Sequence, residues 1–143
     1  MEIALEEARL AAARGEVPVG AVVVGADGTI LARAGNRVEA DHDAAAHAEM
    51  LALRVAGQVR GSARLPDCDL VVTLEPCPMC AQAIGFFRIR RLIFGAYDPK
   101  SGGVEHGARI YDASSSHHRP EVVGGVRETE AAALLRGFFA GRR

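Results

Sequence analysis

Apolar positions change period several times along the chain, and each change marks an element. From about Ile3 to Ala13 they recur at helical spacing through Leu5, Ala8 and Ala12 before Gly15 and Pro18 break the pattern, which predicts a first helix. Val19 to Val24 is an apolar, valine-rich run, Asp27-Gly28 is a turn signal and Thr29 to Ala34 follows, so this stretch reads as a hairpin. A loop from Asn36 to Asp43 leads into helix formers, Ala44 to Ala56, with Gly57 as the expected stop. Leu70 to Leu74 reads as a buried strand, Cys77 to about Phe87 as a helix, and Arg91 to Gly95 as another strand. The stretch from Asp98 to Pro120, rich in Gly, Ser and His, is long for a connection, and loops of that length are usually functional. Thr129 to Phe139 predicts a closing amphipathic helix capped by Thr129. The strand–helix–strand alternation points to an α/β sandwich.

Composition narrows the class. A chain of 143 residues with 49% hydrophobic positions fits one globular domain over residues 1–143. Its formal charge is −1 and Lys100 is its single lysine, which argues against broad electrostatic capture of nucleic acid and against duplex DNA as a partner. Three cysteines do not make a disulfide framework and favour a reducing, cytoplasmic setting. The N-terminus lacks a signal-peptide pattern and no apolar run approaches about 20 residues, so no membrane association is expected.

The chemistry lies in two short segments, His47-Ala48-Glu49 and Pro76-Cys77-Pro78-Met79-Cys80. Cys77 and Cys80 stand a helical turn apart, which suits chelation, and His47 adds a third ligand from another helix. Two thiolates and an imidazole suit zinc, and a three-ligand site leaves a coordination position for water. Glu49 is then available as a proton shuttle. His-x-Glu joined to Pro-Cys-x-x-Cys is the signature of zinc nucleobase deaminases. Two residues apart on a regular helix would put His47 and Glu49 on opposite faces, so the shared site requires His47 at the first turn. Blander readings exist for each feature. Cys68 could complete a closed structural site, although it reads better as a buried apolar residue at a strand start. The Arg88-Ile89-Arg90-Arg91 cluster could touch RNA or simply be a solvated helix end.

In these and further segments the chain resembles the bacterial tRNA-specific adenosine deaminases of the cytidine deaminase superfamily. The resemblance runs through Glu16-Val17-Pro18-Val19-Gly20-Ala21, Gly35-Asn36-Arg37, Thr73-Leu74-Glu75-Pro76-Cys77, Gly95-Ala96-Tyr97-Asp98-Pro99-Lys100, His118-Arg119-Pro120 and Phe138-Phe139. It implies a three-layer α/β/α fold on a mixed five-stranded sheet and one Zn2+ per subunit of a homodimer whose sites are completed across the interface. The implied activity is hydrolysis of adenosine to inosine at the wobble position (34) of a tRNA anticodon loop. By the same resemblance Asn36 and Ala48 meet the flipped base, Asp98 and Lys100 the anticodon loop, and Phe139 and Arg143 the flanking nucleotides. His117 occupies a contact position that is often asparagine. Ala45 stands where Ser or Thr is common, and Phe87 where a small residue is. A deaminase of free guanine, cytosine or a nucleoside, and a non-catalytic zinc module that binds RNA, are the alternatives.

Overall fold

A computed structural model describes residues 1–142. Five strands, β1 (Gly20–Val24), β2 (Ile30–Gly35), β3 (Asp69–Leu74), β4 (Arg91–Ala96) and β5 (Glu121–Val123), form one sheet in the order β2-β1-β3-β4-β5. β1 runs antiparallel to β2 and β3, whereas β3, β4 and β5 are parallel, so the sheet is mixed as expected.

Period-two alternation sorts the strand side chains between two helical layers. Ala21, Val23, Leu70, Val72, Leu92 and Phe94 pack with Ala52, Leu53 and Ala56 of α2 (Ala48–Arg60) and with Ala81 and Ile84 of α3 (Pro78–Phe86). The intervening Val22 and Val71 meet Ala4 of α1 (Glu2–Ala13), and Ala96 meets Leu5 of α1 and Ala131 of α4 (Glu128–Ala140). This is the three-layer α/β/α arrangement. Gly20 and Gly35 pair directly across β1 and β2 beneath α1. A Cβ on Gly20 would fall 1.9 Å from the Ala4 carbonyl oxygen, and one on Gly35 would fall 2.7 Å from that of Glu7. The two glycines let the helix backbone rest on the sheet.

Three boundaries differ from the sequence expectation. α2 begins at Ala48 rather than Ala44 and runs through Gly57 to a left-handed cap at Gly61. Asp43 explains the late start: its Oδ1 accepts the Ala45 N–H at 2.9 Å and its carbonyl accepts that of Ala46 at 3.0 Å, closing a turn where the helix was expected. Gly57 is not a stop but a point of close packing, with Ser62 O 3.1 Å and the Phe87 ring 3.4 Å from where its Cβ would lie. α4 starts at Glu128 behind Arg127, which has φ 53°, so Thr129 sits inside the first turn and caps nothing. The Asp98 to Pro120 stretch holds a 3₁₀ turn at Ile110–Asp112, where the buried Tyr111 hydroxyl donates to Ala81 O at 2.9 Å. It leads into β5, which the sequence reading did not locate. No helix among the described residues is long and apolar enough to cross a membrane.

Candidate active site

Beyond its last residue β3 continues through Glu75 and Pro76 into Cys77, the N-cap of α3. Pro78 follows at the first helical position, where its missing N–H is not needed, and Cys80 lies in the same turn. His47 is the N-cap of α2 with an extended backbone, φ −72° and ψ 149°. That conformation takes it out of helical phase, so His47 and Glu49 line one cavity although they are two residues apart.

Three ligand atoms converge there. His47 Nδ1 lies 3.6 Å from Cys77 Sγ and 3.5 Å from Cys80 Sγ. Tetrahedral zinc, with Zn–S near 2.3 Å and Zn–N near 2.0–2.1 Å, requires an N···S separation of about 3.6 Å. The donor set therefore fits zinc in both chemistry and spacing. Hydrogen bonding from Cys80, with help from His47, pulls the Cys77 thiol down to about 4 although burial opposes it. The same contact and burial push Cys80 up, and the Cys77 contact raises His47. The cysteines' place at the N-terminus of α3 favours the negative charge that a thiolate ligand carries. Cys68 is fully buried, donates to Asp67 Oδ1 at 3.5 Å and does not join the group, so it supplies no fourth ligand.

Glu49 is 4% exposed, and burial is the main cause of its raised pKa. Asn36 Oδ1 accepts the Ala48 N–H at 2.8 Å. Only the carbonyl end of the amide can accept, so this bond fixes the side chain and leaves the Asn36 NH2 for a ligand. The resemblance has Ala48 meet the base through its backbone, and its N–H is engaged by Asn36.

The cavity is about 470 Å³ and is walled further by Glu16, Val17, Val38, Glu39, Leu74, Asp98, Ser101, Phe138 and Arg142. A second pocket of about 480 Å³ shares Val17, Leu74, Asp98 and Ser101 with it and adds Tyr97, Lys100, Leu135 and Phe139. Both volumes lie within the roughly 300–1,000 Å³ usual for small-ligand sites. His117 is elsewhere, in a small crevice with Gln82, Phe86 and Arg88. Arg143 lies outside the described residues. Arg90 bonds Asp69 at 3.0 Å and Arg91 bonds Glu121 at 3.1 Å, so most of the basic cluster is neutralised.

Sequence reasoning gave no role to Glu16, Glu75 or Phe138, and took Arg142 only as part of the basic tail Arg142-Arg143 that would contact RNA. The Arg142 guanidinium stacks 3.5 Å from the Phe138 ring centre at the cavity wall. Glu75 had a signal, since an acid that ends a buried strand beside a ligand segment needs partners. Burial would raise its pKa, but bonds from Asp98, His106 and Glu105 override that and hold it below the usual carboxylate range.

Residues 1–96 match the family described as the cytidine and deoxycytidylate deaminase zinc-binding region, so the chain is a deaminase of that superfamily. A tRNA-specific adenosine deaminase of Agrobacterium fabrum is 53% identical over 143 residues, covering 100% of this chain and 93% of the relative. A solved structure from studies of A-to-I editing by tRNA:A34 deaminases at the wobble position of transfer RNA superposes with a TM-score of 0.92. It is 53% identical, over 94% of this chain and 97% of that one. The chain belongs to the tRNA-specific adenosine deaminase family. A guanine deaminase from Nitrosomonas europaea shares the fold with a TM-score of 0.83 at 27% identity, over 97% of this chain and 82% of that one.

Proposed function

We propose that this protein converts adenosine to inosine at the wobble position (34) of a tRNA anticodon loop, consuming water, releasing ammonia and using one zinc ion per subunit. The observation that carries the reading is the convergence of His47, Cys77 and Cys80 beside the buried Glu49, in a chain so similar to curated tRNA adenosine deaminases. Zinc held by the three ligands supplies an activated water as nucleophile.

The protein's own groups do the rest. Asn36 offers its fixed NH2 to the flipped base. Glu49 takes a proton from the attacking water on a carboxylate oxygen and delivers it to the ring N1. It then passes the added oxygen's remaining proton to the amine, which leaves as ammonia as the C–N bond breaks and the carbonyl forms. A buried carboxylate with raised proton affinity suits that transfer better than an exposed one. Phe138 and Arg142 close the wall beside the base. The second pocket, with Asp98, Lys100 and Phe139, takes flanking nucleotides. Arg143 extends that contact, and Ala48 acts through Asn36.

A homodimer completes the reading. Phe86 is 61% exposed on α3 and Val59 60% exposed on α2, large apolar side chains that a monomer would leave in water. His117 shares its crevice with Phe86, so it lies on the surface that the homodimer would cover. A substrate of this kind implies a cytoplasmic location.

An anticodon stem-loop with adenosine at the wobble position, incubated with zinc-loaded protein and analysed as nucleosides, tests the reading. Inosine is the expected product. Faster deamination of free guanine than of the RNA would overturn the assignment.

A further inference from the structure

Besides Tyr111 and the cysteines, five polar side chains are buried among the described residues, Glu16, Asn36, Glu49, Thr73 and Glu75. Asn36 and Glu49 face the substrate in the reading above, and Thr73 Oγ1 accepts the Gly20 N–H at 3.1 Å inside the sheet. Glu16 accepts the N–H groups of Glu39 and Ala40 at 3.1 and 2.8 Å on one wall of the cavity. Glu75 is the more heavily engaged. Its Oε1 accepts the Asp98 N–H at 3.0 Å and the His106 ring Nδ1–H at 2.8 Å. Its Oε2 accepts the backbone N–H groups of Glu105 and His106 at 2.9 and 3.0 Å, with that of Val104 at 3.3 Å.

All five donors come from one loop, residues 98–106. The loop closes so tightly over the carboxylate that a Cβ on Gly102 would fall 2.5 Å from Glu75 Oε2. Other bonds of this loop, Ser101 N–H to Asp98 Oδ1 and Gly102 N–H to Asp98 O, are internal to it. Gly103 N–H to Pro76 O at 2.8 Å fastens it further along. The same loop carries Asp98, Lys100 and Ser101 to the second pocket.

We propose that Glu75 is a positioning residue for the RNA: its carboxylate is the fixed point on which loop 98–106 folds, and it thereby sets where Asp98 and Lys100 stand. The proposal rests on the tRNA reading above. Glu75 touches no reacting atom, so it acts on recognition more than on chemistry. Glutamine at this position keeps the shape but not the acceptor set. Whichever way its amide turns, an NH2 group faces backbone N–H donors, either that of Asp98 or those of Val104, Glu105 and His106.

Zinc-loaded wild type, Glu75→Gln, His106→Ala, Lys100→Ala and the double variants are assayed on the wobble-adenosine stem-loop. Glu75→Gln should raise KM about tenfold, with kcat changing far less and zinc content unchanged. His106→Ala should move KM the same way by less, since the backbone donors remain. Lys100→Ala should cost much less in the Glu75→Gln background than in wild type, because the lysine is already displaced. An unchanged KM, additive effects, a fall in kcat at constant KM, or loss of zinc would each overturn the proposal. If Glu75→Gln does not fold, the coupling of His106→Ala to Lys100→Ala decides it by the same criterion. Wild type that makes no inosine overturns the tRNA reading and this proposal with it, whereas an active wild type with an indifferent variant overturns this proposal alone.

Discussion

Glu49 combines two properties that single substitutions can separate, because it neighbours the ligands without being one of them. Glu49→Ala is expected to keep zinc and fold while activity falls by at least about 10²-fold, the usual contribution of a positioned acid–base group. Zinc content and turnover measured on one preparation check this, and zinc loss would make Glu49 a ligand. The cysteines divide differently. Cys77→Ser or Cys80→Ser should lose zinc, whereas Cys68→Ser should not, as metal analysis of the three variants would show. Burial, with Asp67 beside it, pushes the Cys68 thiol up to about 11. The reactive form is the thiolate, so Cys68 in the folded protein stays protonated and unalkylated at pH 8 and becomes reactive only as pH nears 11 or on unfolding. Mass spectrometry after iodoacetamide treatment reads this directly. The ligand set was legible in the sequence because chelation imposes short spacings on neighbouring residues. Phe138 was not, because only the packing of α4 across α1 and β4 decides which of two adjacent phenylalanines faces the cavity.

Elements were legible where one pattern dominates and misread where a local hydrogen bond competes. The apolar runs read as β1, β3 and β4 follow from cover on both faces of the sheet. The start of α2 was misplaced because helix propensity in Ala44-Ala45-Ala46 loses to the Asp43 turn, and that displacement is what puts His47 at a cap. Three-residue β5, with only Val122 partly covered, offers too short a pattern to register. The glycines beneath α1 give a direct test of element packing. Gly20→Ala should destabilise the protein by about 3 kcal/mol, at the upper end of overpacking costs, since the new methyl would meet helix backbone and not a yielding side chain. Denaturant unfolding measures it, and Gly28→Ala serves as the contrast, strained by its positive φ but with open space around it.

Over the whole molecule, charge is arranged more tellingly than its near-zero sum suggests. Arg9, Arg33, Arg37, Arg60, Arg90, Arg91 and Arg127 are paired with acids on the outer surface. Lys100 has no acidic partner among the described residues and stands at the second pocket. Lys100→Ala should therefore reduce the salt dependence of stem-loop binding by about one phosphate contact, read as the slope of log affinity against log salt. Light scattering of the zinc-loaded protein should report a dimer, and an active monomer would refute that part of the reading.

The self-pairing of the outer arginines has a further consequence in a crowded cell. Ribosomal RNA and DNA are polyanions in great excess over any one tRNA, and a uniformly basic enzyme would be titrated onto them by bulk attraction. A surface on which many arginines are cancelled by neighbouring acids is a poor target for such competitors. The protein should stay unsequestered until a loop small enough to enter the pocket presents itself.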